Sequence, residues 1–155
     1  MKIRLAAVLL AALWAGASTH AADTGSVASQ PAVAERIKAA RDAIQSKDWK
    51  KALSELNLAA RQEPRNADVQ NLLGYSYRKQ GTPDLAKAFV HYKTALRLDP
   101  QHKGAHEYIG EAYLMDKQPA EAEKHLASLA QICGNTNCEE YQDLAKAIAE
   151  YKARN

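Results

Sequence analysis

Small and large apolar residues recur along this chain in an order that repeats three times. Leu73-Gly74-x-x-Tyr77 returns as Ile109-Gly110-x-x-Tyr113, with a fainter copy in Ala39-Ala40-x-x-Ala43. Downstream of each copy comes an alanine, then a larger apolar residue four positions later: Ala52 and Leu56, Ala88 and Tyr92, Ala122 and Leu126. Two copies close on Ala59…Pro64 and Ala95…Pro100. Spacings of three and four place side chains on one face of a helix. Each copy therefore predicts a pair of helices, the second ended by a proline in the first two copies.

The intervals agree. Ala40 to Gly74 and Ala88 to Ala122 are each 34 residues, while Gly74 to Gly110 and Pro64 to Pro100 are each 36. The two additional residues fall between Gly74 and Ala88, in "QGTPDLAKA", so the middle copy has a longer inner turn. Thr82-Pro83-Asp84 there reads as a helix cap, a first-turn proline and an acid at the positive end of a helix. Tyr141, Leu144, Ala145, Ile148 and Tyr151 fall on one face of a further amphipathic helix over 138–153, with Asn137 and Glu140 as its start signal. Small residues at 40, 74 and 110 let the first helix of a pair approach the second, and the alanines at 52, 88 and 122 do so from the other side.

In this pattern the chain resembles the tetratricopeptide repeat family, whose repeat runs about 34 residues with Leu-Gly, Tyr, Ala and Pro at fixed places. The resemblance covers residues 33–136 in three copies, about 33–66, 67–102 and 103–136. Arg36, Gln70 and His106 stand where the family has tryptophan, Ala40 replaces the first glycine, and Leu129 and Gly134 replace the last alanine and proline. The resemblance implies an all-α fold, an α-solenoid of three antiparallel helix-turn-helix repeats with residues 137–155 as a C-terminal capping helix. It also implies a non-catalytic scaffold or adaptor that takes a protein or peptide in its concave groove.

The N-terminus adds an address. Lys2 and Arg4 precede an apolar run, Leu5 to Trp14, that is too short for a permanent membrane span and fits a secretory signal peptide. A cut after Ala21 removes residues 1–21 and leaves 22–32 as a flexible lead-in. An exported, soluble, periplasmic protein is expected, similar to the small periplasmic members of the family in bacteria. Removing Lys2 and Arg4 takes the formal charge from +3 to +1, with signs interspersed. No basic stripe remains for a nucleic-acid backbone. Export favours pairing of Cys133 and Cys138 in "CGNTNC" as a structural disulfide.

Candidate chemistry is sparse. "HKGAHEYIGEAYL" sets His102 and His106 four apart beside Glu107 and Glu111. A zinc-protease motif would need His at 110, where the repeat holds glycine. His106 occupies a repeat position and reads as a packing residue, with His91 or His125 able to approach it. No nucleophile elbow, phosphate loop or Cys-x-x-Cys motif is present. No catalytic residue, metal site or cofactor is expected. The alternative is a metal- or redox-associated accessory protein using His102 and His106, or the Cys133–Cys138 pair.

In the resemblance, first helices line the concave side. Ile37, Asn71 and Glu107 then form one column, Arg41, Tyr75 and Glu111 a second, Ile44, Arg78 and Leu114 a third, and Lys38, Leu72 and Tyr108 a fourth. The expected contact residues are Lys38, Arg41, Asn71, Tyr75, Arg78, Glu107, Tyr108 and Glu111. Some family members clamp a peptide carboxylate between lysine, asparagine and arginine side chains. The matching positions here hold Ile37, Arg41, Leu72, Gly104 and Tyr108, so that clamp is not expected. A groove basic at one end and acidic at the other is.

Overall fold

The structure is a computed structural model and describes residues 31–155. The expected signal peptide (1–21) and residues 22–30 of the lead-in lie outside the described residues. Seven helices follow one another: α1 Val33–Gln45, α2 Trp49–Gln62, α3 Ala67–Lys79, α4 Leu85–Leu98, α5 Lys103–Met115, α6 Pro119–Cys133 and α7 Glu139–Arg154. Helices α1–α2, α3–α4 and α5–α6 pack as pairs, α2 lies on α3, α4 on α5, and α7 on both α5 and α6. Among the described residues there is no strand, and no helix is long and apolar enough to cross a membrane.

The helices begin where side chains can satisfy their first free N–H groups. Asp48, Asn66, Asp84 and His102 accept from the backbone N–H of Lys51, Val69, Lys87 and Ala105 at 3.0–3.1 Å. Each such cap contributes about 1 kcal/mol. In the middle copy the cap is Asp84, not Thr82, so α4 starts two residues later than its sequence suggests. The reason is a shared backbone bracket. The N–H of Asp48, Asp84 and Gln118 donates back to the carbonyl of Ala43, Tyr77 and Tyr113, at 2.8–2.9 Å. The last three are the closing residues of the repeated motif. The bracket spans five residues in the outer copies and seven in the middle one, so the two inserted residues are absorbed inside it. The tighter outer turns force Lys47 and Lys117 into left-handed backbone, with φ of 60° and 59°. Helices α2 and α4 end at Gln62 and Leu98, two residues before Pro64 and Pro100.

The N-caps Asn66, His102 and Cys138 stand 36 residues apart. Helix α7 is thus placed as the first helix of a fourth pair would be. It starts after Cys138 rather than at Asn137, whose N–H is taken by Asn135 Oδ1 at 2.8 Å. Cys133 and Cys138 form a disulfide that joins the end of α6 to the cap of α7. The core runs in three clusters. Leu56, Val69 and Leu73 fill the first, Tyr92 and Ile109 the second, and Leu129, Leu144 and Ile148 the third.

The small residues at the close approaches do not all face the same kind of neighbour. A Cβ at Gly74 would meet the Tyr92 ring at 2.6 Å, in the second helix of its own pair. A Cβ at Gly110 would meet Leu144 at 2.6 Å, in α7. The expectation that residue 110 admits the second helix of its pair is corrected: there the close approach is to α7. Position 126, equivalent to Tyr92, is a leucine, and Leu144 takes up the room that a ring would fill.

Candidate functional site

Helices α3 and α5 bring four of the expected contact residues together around one guanidinium. Arg78 has 4% of its surface exposed. Its Nε donates to Tyr92 Oη at 3.2 Å, and its Nη2 lies 2.5 Å from Glu111 Oε2. The Tyr75 and Tyr108 rings sit 5.5 and 5.6 Å from its centre, and their own centroids are 4.8 Å apart. Burial works against the charge on Arg78, but Tyr92 and Glu111 more than offset it and its pKa is raised. A planar cation beside two aromatic rings, with a carboxylate at its edge, is a stable arrangement in a dry setting. Arg78 therefore anchors the groove floor and is not a free contact residue. Sequence spacing located its face of the helix but not its depth.

Burial also raises the Tyr108 hydroxyl, to about 12. Neither Tyr75 nor Tyr108 hydrogen-bonds through its hydroxyl to another described residue, and both are half-buried. They offer an apolar body and a polar tip to a ligand. A cleft of about 300 Å³ shares Arg78 and Glu111 with this cluster and is lined by Lys79, Met115, Glu150 and Arg154 among others.

The other end of this face is acidic. Glu107 is 8% exposed and makes no hydrogen bond or ion pair with a described residue. Burial, then Glu111, Asp143 and Glu140, push its carboxyl up to about 8, against a weaker pull from Arg78. Asn71 is 6% exposed, and its Oδ1 has no hydrogen-bond donor. Both were expected as open contacts, and both instead lie in the floor, because α3 and α5 converge there. Lys38 is exposed but ion-paired with Asp42 on its own helix at 2.8 Å. Arg41 is exposed on α1. Sequence reasoning missed Tyr92, Asp143, Glu150 and Arg154. The 36-residue step would have found two of them, since it carries Glu107 onto Asp143 and Leu114 onto Glu150.

His102 and His106 are not brought together. His102 caps α5 through Nδ1, and its Nε2 lies 3.0 Å from Asp68 Oδ1. His106 turns the other way, with Nε2 3.0 Å from the Pro100 carbonyl and Nδ1 2.9 Å from His125 Nδ1. A carbonyl only accepts, so His106 carries its proton on Nε2 and His125 donates from Nδ1. Burial and the His106 neighbour lower the His125 pKa to about 4. Glu140 lies beside Cys133 and Cys138, but their sulfurs are bonded to each other.

Two family models, each described as tetratricopeptide repeat, match residues 77–148 and 37–89. No curated protein matches the sequence. Among solved structures the chain is similar to the TPR2B domain of yeast Sti1 in a complex with pHsp70. That likeness has 14% identity and a TM-score of 0.70, and covers 79% of this chain and 98% of that one. It is also similar to SycD, the type III secretion translocator chaperone of Yersinia enterocolitica, solved as an alternative dimer. Here identity is 17% and the TM-score 0.67, over 81% of this chain and 92% of that one. At these identities the structures speak for the fold alone. With the two family models together spanning residues 37–148, the chain belongs to the tetratricopeptide repeat family.

Proposed function

We propose that this protein is a non-catalytic scaffold or adaptor that works in the periplasm and holds a partner protein or peptide against the face built by α1, α3, α5 and α7. Tetratricopeptide repeats are protein–protein interaction modules, and the similar yeast domain was solved as a complex. The observation that carries the reading is the half-buried Tyr75–Tyr108 pair, fixed by a buried arginine and left with both hydroxyls unpartnered. Folding alone has little use for two unpartnered hydroxyls on such a pair, and aromatic residues with nearby arginine are the usual anchors of interfaces. In this proposal Arg41, Tyr75, Tyr108 and Glu111 contact the partner, with Lys38 at the rim. Asn71, Arg78 and Glu107 shape the floor. Export rests on the Lys2/Arg4 and Leu5–Trp14 sequence, and the Cys133–Cys138 disulfide suits an oxidising compartment.

The test is capture from the native exported fraction with the tagged parent and an Arg41→Ala/Tyr75→Ala variant. Both substitutions leave Arg78 with its Tyr92 and Glu111 partners. A partner held by the parent and lost by the variant supports the reading. The same partners on both proteins would move binding off this face and overturn it.

A further inference from the structure

Resting on the proposed groove, we infer that its acidic end is a subsite for a cationic side chain, arginine before lysine, from a bound peptide segment. Two acceptors lie in the floor with no donor from the protein. Glu107 is more than nine-tenths buried and unpaired, and Asn71, equally buried, has an Oδ1 without a partner. The Asn71 amide packs against Gly104, one turn before Glu107 on α5. The two lie in one column, 36 residues apart in sequence, and the same step leads on to Asp143.

Every group that acts strongly on Glu107 sharpens the need for a donor. Glu111 on its own helix and Asp143 and Glu140 on α7 are carboxylates. Arg78 on α3 is the cation among them, and its guanidinium is already committed to Glu111 and Tyr92. A buried acceptor left unpaired, as Asn71 Oδ1 is, costs about 1–3 kcal/mol, and the Glu107 carboxyl beside it has no protein donor either. A guanidinium brings five N–H donors and a flat face that stacks on a tyrosine. It would satisfy Glu107 and Asn71 and lie against Tyr108. A peptide carboxylate, by contrast, would meet four acids. The subsite thus selects the opposite charge from a carboxylate clamp.

Binding must also release a proton, because Glu107, held up to about 8, is mostly neutral near pH 7 and has to ionise to pair. The probe is N-acetyl-arginine amide, titrated into the full chain and followed by NMR, with N-acetyl-citrulline amide as the uncharged match. Saturable shifts at Asn71, Glu107 and Tyr108 in the millimolar range are expected from arginine and not from citrulline. The Glu107 carboxyl should titrate at lower pH when the probe is bound. Glu107→Gln, checked for folding by circular dichroism, should weaken the effect about fivefold or more, and Asp143→Asn, at the exposed edge, about twofold. No saturable shift, equal shifts from citrulline, or an undiminished response in both variants overturns the inference. A partner lost by Arg41→Ala/Tyr75→Ala but held at parental strength by Glu107→Gln would leave the groove standing and remove the cation subsite.

Discussion

The second and third repeats carry the same apolar-Gly-x-x-Tyr motif, yet each closes its glycine against a different part of the molecule. Gly74 meets a tyrosine ring in its own pair, and that ring in turn holds Arg78. Gly110 meets a flexible leucine from α7. The two also differ in charge. The second repeat buries a cation with its partners supplied, whereas the third buries the Glu107 carboxyl with none. The same motif therefore closes its glycine within its own helix pair in one place and against a following helix in the next.

The largest expected effect tests that dependence. Leu144→Ala should cost about 3 kcal/mol in a denaturant melt, since the side chain is fully buried among α5, α6 and α7. A loss below about 1 kcal/mol would mean that α7 is not integral to the third repeat. Next come the glycines. Gly74→Ala should destabilise by about 2 kcal/mol, because a tyrosine ring fixed by Arg78 yields poorly, even after the gain in helix propensity. Gly110→Ala should cost about 1 kcal/mol and become neutral or favourable in a Leu144→Ala background, a coupling that a double-mutant cycle reads directly. Equal costs at the two glycines would erase the distinction.

Titration sharpens the comparison further, since Glu107 and His125, both strongly displaced, belong to the third repeat. Glu107 rises from 4.5 to about 8 on folding, so the stability it supports is full below about 4.5 and drains away as pH climbs through 8. His125 falls from 6.5 to about 4, so its contribution is full above 6.5 and is lost as pH drops through 4. Glu107→Gln should flatten the alkaline limb of a melting-temperature profile and His125→Asn the acid limb, each by about 1 kcal/mol. A parental profile in either variant would assign that limb to other groups. The smallest effect belongs to the turns. Lys47→Gly and Lys117→Gly relieve left-handed backbone and should each stabilise by about 0.5 kcal/mol, where no change would indicate a turn that relaxes on its own.

The helix pairs were legible because they rest on local chemistry: periodic apolar faces, prolines after α2 and α4, and alanines where helices touch. The start of α4 was misplaced because Thr82 and Asp84 are both good caps, and the choice between them came from a hydrogen bond to Tyr77 that sequence does not display. The groove face was legible by spacing, but depth was not. Arg78 and Glu107 lie deeper than a contact residue would, because depth depends on how closely α3, α5 and α7 converge. The His106–His125 contact joins two helices, so its geometry could not be read from either one.

Arg36 and Arg78 both pair with a glutamate, but in different directions. Arg36 pairs with Glu55 inside the first repeat, while Arg78 reaches from α3 to Glu111 on α5. In a linear array each unit has its own stability plus a coupling to the next, and an ion pair adds to one or the other. Here the charge reinforces the first unit internally and the junction between the second and third externally. Fluctuations of the native protein should therefore divide at the first junction: α1 and α2 exchange their amide hydrogens as one cooperative group, and α3 to α7 as another, slower one.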